Sequence, residues 1–179
     1  MRVIAGSAKG HRLKAPRAGA VRPTSDLVRG AIFSMLGSLG ADLSRALDLF
    51  AGSGALGIEA LSRGGAWADF VERDPRACAV IEENLRHAKL SHRARVQCGS
   101  AQAALGRLKE SYTVIFVDPP YADATLPQFL EALGASPLVA EGTTVVVEHW
   151  RRQEVPARMG PLALEVERRH GETVVSIYD

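Results

Sequence analysis

The chain has 179 residues, 46% hydrophobic and 23% charged, with a net charge of only +2. That composition fits one soluble domain able to bury a core unaided. It leaves no apolar run long enough to span a membrane and no N-terminal secretory signal.

The charge is unevenly spread. Residues 1–29 hold Arg2, Lys9, Arg12, Lys14, Arg17, Arg22 and Arg29 against Asp26 alone, about +6 by formal count, leaving about −4 for the remainder. A basic arm on a mildly acidic body points to a polyanion handled at one end of the molecule. A merely solvated basic surface has the same composition. Arg2–Ala5 and His11–Lys14 flank Gly6-Ser7-Ala8-Lys9-Gly10, which predicts a hairpin or extended arm. Ala15–Pro23 holds Pro16, Gly19 and Pro23 and reads as a linker. Thr24 or Ser25 can cap a helix over Asp26–Gly37.

From there strands and helices alternate. Strands are predicted at Arg45–Phe50, Ala66–Glu72, Ala94–Cys98, Tyr112–Asp118 and Thr143–His149. Between them come helices at Gly54–Ser62, Pro75–Lys89, Ala101–Leu108 and Leu126–Leu133. Alternation of this kind implies a parallel sheet with right-handed crossovers. Leu162–Arg169 and Glu172–Tyr178 then lie two residues apart with no helix between. They form a hairpin, so the sheet ends in an antiparallel pair. Cys78 and Cys98 form no Cys-x-x-Cys. They read as small buried hydrophobes in a reducing cytoplasm, not as a disulfide framework or zinc site.

Three strand ends carry chemistry. After the first strand, Gly52, Gly54 and Gly57 spell G-x-G-x-x-G, the dinucleotide fingerprint. Asp48 stands beside it, however, where it opposes a pyrophosphate and welcomes an amino-bearing ligand. S-adenosylmethionine carries an α-ammonium and no phosphate. Gly52 and Gly54 let backbone approach such a ligand closely. Glu72 ends the second strand, where a carboxylate can accept both ribose hydroxyls. Arg73 can flank an adenine. Ser100, with Ala101, follows the third strand; its hydroxyl contacts adenine or caps the next helix. The fourth strand, Val114–Val117, stops at Asp118-Pro119-Pro120-Tyr121. Neither proline has an N–H to donate. The corner is therefore rich in acceptors and stacking surface and poor in donors, which suits a flat ring bearing an NH2 group. Alone, Asp-Pro-Pro also reads as a turn.

In their order, Asp48–Gly57, Glu72, Ser100 and Asp118–Tyr121 resemble class I S-adenosylmethionine-dependent methyltransferases, α/β proteins with a Rossmann-like, mostly parallel seven-stranded sheet. Asp-Pro-Pro-Tyr marks those that methylate amino nitrogens of bases. The arm extends the resemblance: Arg2–Gly6, Gly10-His11-Arg12-Leu13 and Arg22–Arg29 are similar to bacterial 16S ribosomal RNA guanine-N2 methyltransferases of the RsmD type. The resemblance covers nearly the whole chain. It implies S-adenosyl-L-methionine as cofactor, held by Asp48, Phe50, Gly52, Gly54, Glu72, Arg73, Ser100 and Ala101, with Arg22 and Thr24 closing over it. Relatives have Asp where this chain has Ser100. The resemblance also implies that Asp118 and the Pro119 carbonyl hold the target amine, that Pro120 shares in the donor-poor corner and that Tyr121 stacks on the base. Residues 1–23 would be the RNA-contacting arm, through Arg2, Lys9, His11, Arg12, Lys14 and Arg17, and residues 24–179 the catalytic domain.

The expected partner is 16S rRNA or an assembling small ribosomal subunit, met by a cytoplasmic monomer without metal or membrane. A DNA amino-methyltransferase and a non-catalytic assembly factor share part of this pattern. Glu148 and His149, ending the fifth strand, are candidate lining for the substrate cleft. His87 and His92 lack metal spacing, and Trp67 and Trp150 read as packing residues.

Overall fold

Apolar runs buried on both faces set the centre of this protein. The computed structural model describes residues 1–16, 25–120 and 123–179. In chain order the elements are α1 (Asp26–Leu39), β1 (Arg45–Asp48), α2 (Ala55–Ser62), β2 (Trp67–Glu72), α3 (Pro75–His87), β3 (Ala94–Cys98), α4 (Ala101–Arg107) and β4 (Val114–Val117). Then follow α5 (Leu126–Gly134), β5 (Thr144–Trp150), β6 (Arg158–Met159), β7 (Leu162–His170) and β8 (Thr173–Tyr178). The sheet order is β3-β2-β1-β4-β5-β8-β7-β6. Strands β1 to β5 are parallel, and β8, β7 and β6 are each antiparallel to the preceding strand in that order.

The parallel core and C-terminal hairpin match expectation. The eighth strand does not: β6 is a two-residue pairing of Arg158 and Met159 with β7, too short to show a period of two. Met159 is drawn in because Gly134 and Gly160 abut. A Cβ on Gly160 would stand 2.2 Å from the Gly134 carbonyl oxygen.

Each face of the sheet has its own core. On one side Ile32, Leu36, Ile58, Leu61, Ile81 and Leu85 of α1 to α3 pack with Phe70 and Phe116. On the other, Leu105, Leu130 and Leu133 of α4 and α5 pack with Ile115, Val117 and Val147. Helix starts follow local chemistry. Ser25 caps α1 by accepting the Val28 N–H, and Asp74 with Pro75 opens α3.

A correction concerns the cysteines. Cys78 and Cys98 are joined as a disulfide, their Cα atoms 6.2 Å apart, and Cys98 is exposed. The first turn of α3 folds back over the end of β3, a proximity that a separation of 20 residues conceals. Cysteine usage therefore gives no pointer to a reducing compartment here.

The arm is a narrow antiparallel loop. Arg2 bridges Arg12, and the Val3 N–H donates to the His11 carbonyl at 3.0 Å. It is fastened to the body through charge. Glu59, fully buried in the otherwise apolar α2, accepts the N–H groups of Ile4 and Ala5 at 2.8 and 3.0 Å. It also accepts from Arg63 Nε at 2.8 Å and lies 3.7 Å from Nε of the fully buried Arg29. Arg29 in turn donates to Asp26 at 2.9 Å and to the Arg2 carbonyl. Removing one member of such a set strands the other charge in low dielectric. Glu59→Ala is expected to cost about 3–5 kcal/mol in urea denaturation. Adding Arg29→Met should recover part of the loss. If the double variant loses the sum of both singles, the two residues are uncoupled.

Candidate active site

Because β1 to β4 run parallel, their carboxyl ends share one edge, and Asp48, Glu72, Ser100 and Asp118 stand at or just past it. Asp48 is almost fully buried. Its Oδ2 accepts the Gly57 N–H at 3.1 Å, and Oδ1 has no hydrogen-bond partner among the described residues. Burial pushes this carboxyl from 3.8 up to about 7, with Glu72 adding to the rise and the Gly57 N–H opposing it. An orphaned, buried acceptor of this kind fits a ligand ammonium.

Glu72 proves to be a staple as well as a strand-end acid. Its Oε2 accepts the Gly52 N–H and its Oε1 the Asp74 N–H, each at 2.9 Å. It thus ties the glycine loop to the turn before α3. Each carboxylate oxygen keeps a further lone pair, so ribose hydroxyls remain within its capacity.

The glycines serve different ends. Gly52 has φ +53° and open space around its missing side chain, as a close ligand approach requires. Gly54 also has positive φ, but a Cβ there would meet Ile81 at 3.0 Å. On Gly57 it would fall 2.4 Å from the Phe70 ring. These two are set by the protein's own packing, whereas Gly54 was expected to face ligand.

The remaining described cofactor candidates follow the ends of β1, β2 and β3. Phe50 is half-buried with its ring edge-on to Phe129 at 5.3 Å. Arg73 is exposed and Ala101 buried. Ser100 accepts the Ala103 N–H at 3.1 Å and caps α4, which favours the cap among its two readings. Arg22 and Thr24 lie outside the described residues, as do Arg17 and Tyr121.

Asp118 and Pro120 are half-buried and Pro119 buried. They line a narrow crevice of about 10 Å³ with Glu148, His149, Trp150 and Gln153. The structure thus brings Glu148 and His149 to the corner. It adds Trp150, which the sequence suggested only as a packing residue, and Gln153, which nothing in the sequence singled out. The His149 Nδ1 lies 3.1 Å from the Trp150 carbonyl and Nε2 3.0 Å from Ser176 Oγ. A carbonyl only accepts, so Nδ1 carries the hydrogen. Burial pushes this imidazole below its ordinary pKa. Gln153 Nε2 donates to the Asp123 carbonyl, tying the segment after the corner to the end of β5.

The arm makes a second concave feature. Lys9, His11, Arg12 and Lys14 line an open groove of about 990 Å³, with Glu83, Asn84 and His87 of α3 opposite. His11 meets His87 edge-on at 5.4 Å. Lys14 Nζ donates to Glu83 at 2.5 Å and holds that carboxyl below its usual range. Asn84 joins groove to site, donating to the Lys14 carbonyl at 3.0 Å and to the Ser53 carbonyl at 2.9 Å. Arg2 stands apart, 3.9 Å from Asp26. Among the described residues no group of three or more His, Cys, Asp or Glu could hold a metal ion.

The family model described as Conserved hypothetical protein 95 matches residues 1–179. The chain belongs to this family. Its relatives include the protein named "Putative rRNA methyltransferase YlbH" of Bacillus subtilis (strain 168), 41% identical over 181 residues, 99% of this chain and 98% of that protein. Ribosomal RNA small subunit methyltransferase D of Escherichia coli (strain K12) is 32% identical over 178 residues, 99% of this chain and 89% of that one. A hypothetical protein of Thermus thermophilus superposes with a TM-score of 0.85 at 36% identity, covering 99% of this chain and 98% of its own. The motif-based resemblance is borne out, and the fold is the Rossmann-like one of methyltransferases.

Asp48 supplies a pH test. Between about 4 and 7 the folded chain keeps a proton on Asp48 that the unfolded chain has lost, so this group's contribution to stability falls as pH rises through that window. A cation binds the ionised form. Affinity for S-adenosylmethionine should rise about tenfold from about pH 5.5 to about pH 7, below the titration range of the ligand's own amino group. Calorimetric titration checks this, and Asp48→Asn should flatten the dependence.

Proposed function

We propose that this chain methylates the exocyclic N2 amine of a guanine in small-subunit ribosomal RNA, with S-adenosyl-L-methionine as methyl donor. Family membership and the relative named ribosomal RNA small subunit methyltransferase D support the rRNA class. The observation that carries the site is the acceptor corner at the end of β4, one strand away from the buried Asp48 carboxylate and its glycine loop.

The cofactor, when bound, supplies an electrophilic sulfonium methyl. Asp48 would accept its ammonium and Glu72 its ribose hydroxyls, with the loop at Gly52 held ready by Glu72. Guanine N2 is a weak nucleophile because its lone pair is conjugated into the ring. Asp118 and the Pro119 carbonyl accept its two hydrogens, which favours a pyramidal nitrogen with the lone pair aimed along the transfer line. Positioning of this kind accounts for much of the rate. As the N–C bond forms, the sulfur–methyl bond would break and the spent cofactor would leave as a thioether, while Asp118 takes up the proton released from nitrogen. Pro120 adds no N–H to a corner whose ligand is itself a donor. Tyr121 stacks on the base.

A paired base cannot reach this corner, so the target is unpaired or flipped out. In this reading residues 1–23 grip phosphates and residues 24–179 carry the transfer. In this reading the protein acts as a monomer. The substrate is met in the cytoplasm, as naked rRNA or an assembling small subunit. No helix among the described residues is long and apolar enough to cross a membrane.

Mass spectrometry of nucleosides after incubation with labelled cofactor and under-methylated small subunits should yield N2-methylguanosine. Methylated adenine or cytosine, or a preference for DNA in competition, would redirect the assignment. Asp118→Ala should lower transfer by about 10²- to 10⁴-fold while leaving cofactor affinity unchanged. An Asp118→Ala protein that still transfers methyl normally would remove that residue from the chemistry. Replacing Lys9, Arg12 and Lys14 by Ala should weaken RNA binding and reduce its logarithmic salt slope by about 2. The Lys14 share should be smallest, since Glu83 already neutralises it. An unchanged slope would move the RNA contact elsewhere.

A further inference from the structure

The corner at Asp118 explains how an amine is held but not which base bears it. Guanine, adenine and cytosine all carry an exocyclic NH2 beside a ring nitrogen. They differ at that nitrogen. Next to guanine N2, ring N1 bears a hydrogen and donates. Next to adenine N6 or cytosine N4, the ring nitrogen is bare and accepts.

The strand register places a second acceptor beside the first. Val117 of β4 pairs with Val147 of β5. Asp118 follows directly after the last paired residue of β4, and Glu148 is the next residue of β5. Both residues line the same cavity, with Pro119 and Pro120. A carboxylate has about four lone-pair sites, so Glu148 can take a further hydrogen alongside its contacts within the protein. His149 and the Gln153 amide nitrogen are already committed within the protein. Both ring nitrogens of His149 are engaged by Trp150 and Ser176, and the Gln153 amide donates to Asp123.

We infer that Glu148 selects guanine by accepting its N1–H while Asp118 and the Pro119 carbonyl hold the N2 hydrogens. This rests on the methyltransferase reading above and names the residue that gives it base specificity. Against adenine or cytosine the same carboxylate confronts a bare ring nitrogen, acceptor against acceptor. A site built around a donor rejects an analogue that lacks it, because the desolvated acceptor gains no hydrogen in exchange for water. Glu148 is thus a specificity residue, and its removal acts on the choice of base more than on cofactor binding.

The test uses reconstituted small-subunit particles whose rRNA is ligated around a synthetic segment. The nucleotide methylated by the native protein carries either guanine or 2-aminopurine. The latter keeps the N2 amine but has a bare N1. The native protein should favour guanine by about 10- to 100-fold in kcat/KM. Glu148→Gln, whose amide can present either a donor or an acceptor, should bring that ratio toward parity with cofactor affinity unchanged. Equal use of both bases by the native protein would overturn the inference. So would a guanine preference that survives in Glu148→Gln. If the native protein binds cofactor yet modifies neither base, the methyltransferase reading itself falls and takes this inference with it.

Discussion

One buried carboxylate organises the N-terminal third of this molecule. Glu59 sits with no solvent exposure on a helix whose other residues are apolar or small. It survives there because two backbone N–H groups of the arm, Arg63 and the equally buried Arg29 surround it. Its desolvation is offset only by that complete set of partners. The arm, α1 and α2 therefore converge on one pair of charges, and the arm cannot drift while α2 stays packed on the sheet. Ser62, one turn further, repeats the device with uncharged groups by accepting the Ala8 N–H and donating to the Ala5 carbonyl. Above this joint Val3, Ala8 and Leu13 enter the same apolar cluster as the body. Rigid seating of this kind holds the basic groove against the body.

The cofactor edge uses the same economy of carboxylates. Glu72 holds the glycine loop through Gly52 and the following turn through Asp74, while Asp48 holds the start of α2 through Gly57. Two acids at neighbouring strand ends thereby shape the backbone on which a ligand rests. Their proximity also raises Asp48, so loop architecture and proton affinity are linked.

Much of this was legible in the sequence. The Pro119-Pro120 stop marked the end of β4 within one residue, because proline removes ladder donors whatever the context. Strand–helix alternation gave the parallel core, since faces buried on both sides leave unbroken apolar runs. What escaped depended on proximity without local trace. The Cys78–Cys98 bridge and the two-residue β6 arise from how α3 and α5 fold back, and neither leaves a period. The packing of Gly54 against Ile81, 27 positions away in the chain, left no trace in the glycine motif. Glu59, in the middle of α2, was not singled out from the sequence; only the structure shows that the arm completes it. Glu148 and His149 were placed at a strand end correctly. The register with β4 is what set Glu148 beside Asp118.

The position of β8 carries a consequence for the order of synthesis. It is made after β5 and β7 yet lies between them, and Thr144 at the start of β5 donates to Asp179 at 2.8 Å. A nascent chain that has reached only Trp150 therefore leaves the outer edge of β5 unpaired, a template for wrong pairing. That strand is also the one bearing Glu148. The six residues of β8 that cover this edge also supply Ser176, the partner of His149 at the end of β5, so that side of the sheet is closed only when the last strand has been made.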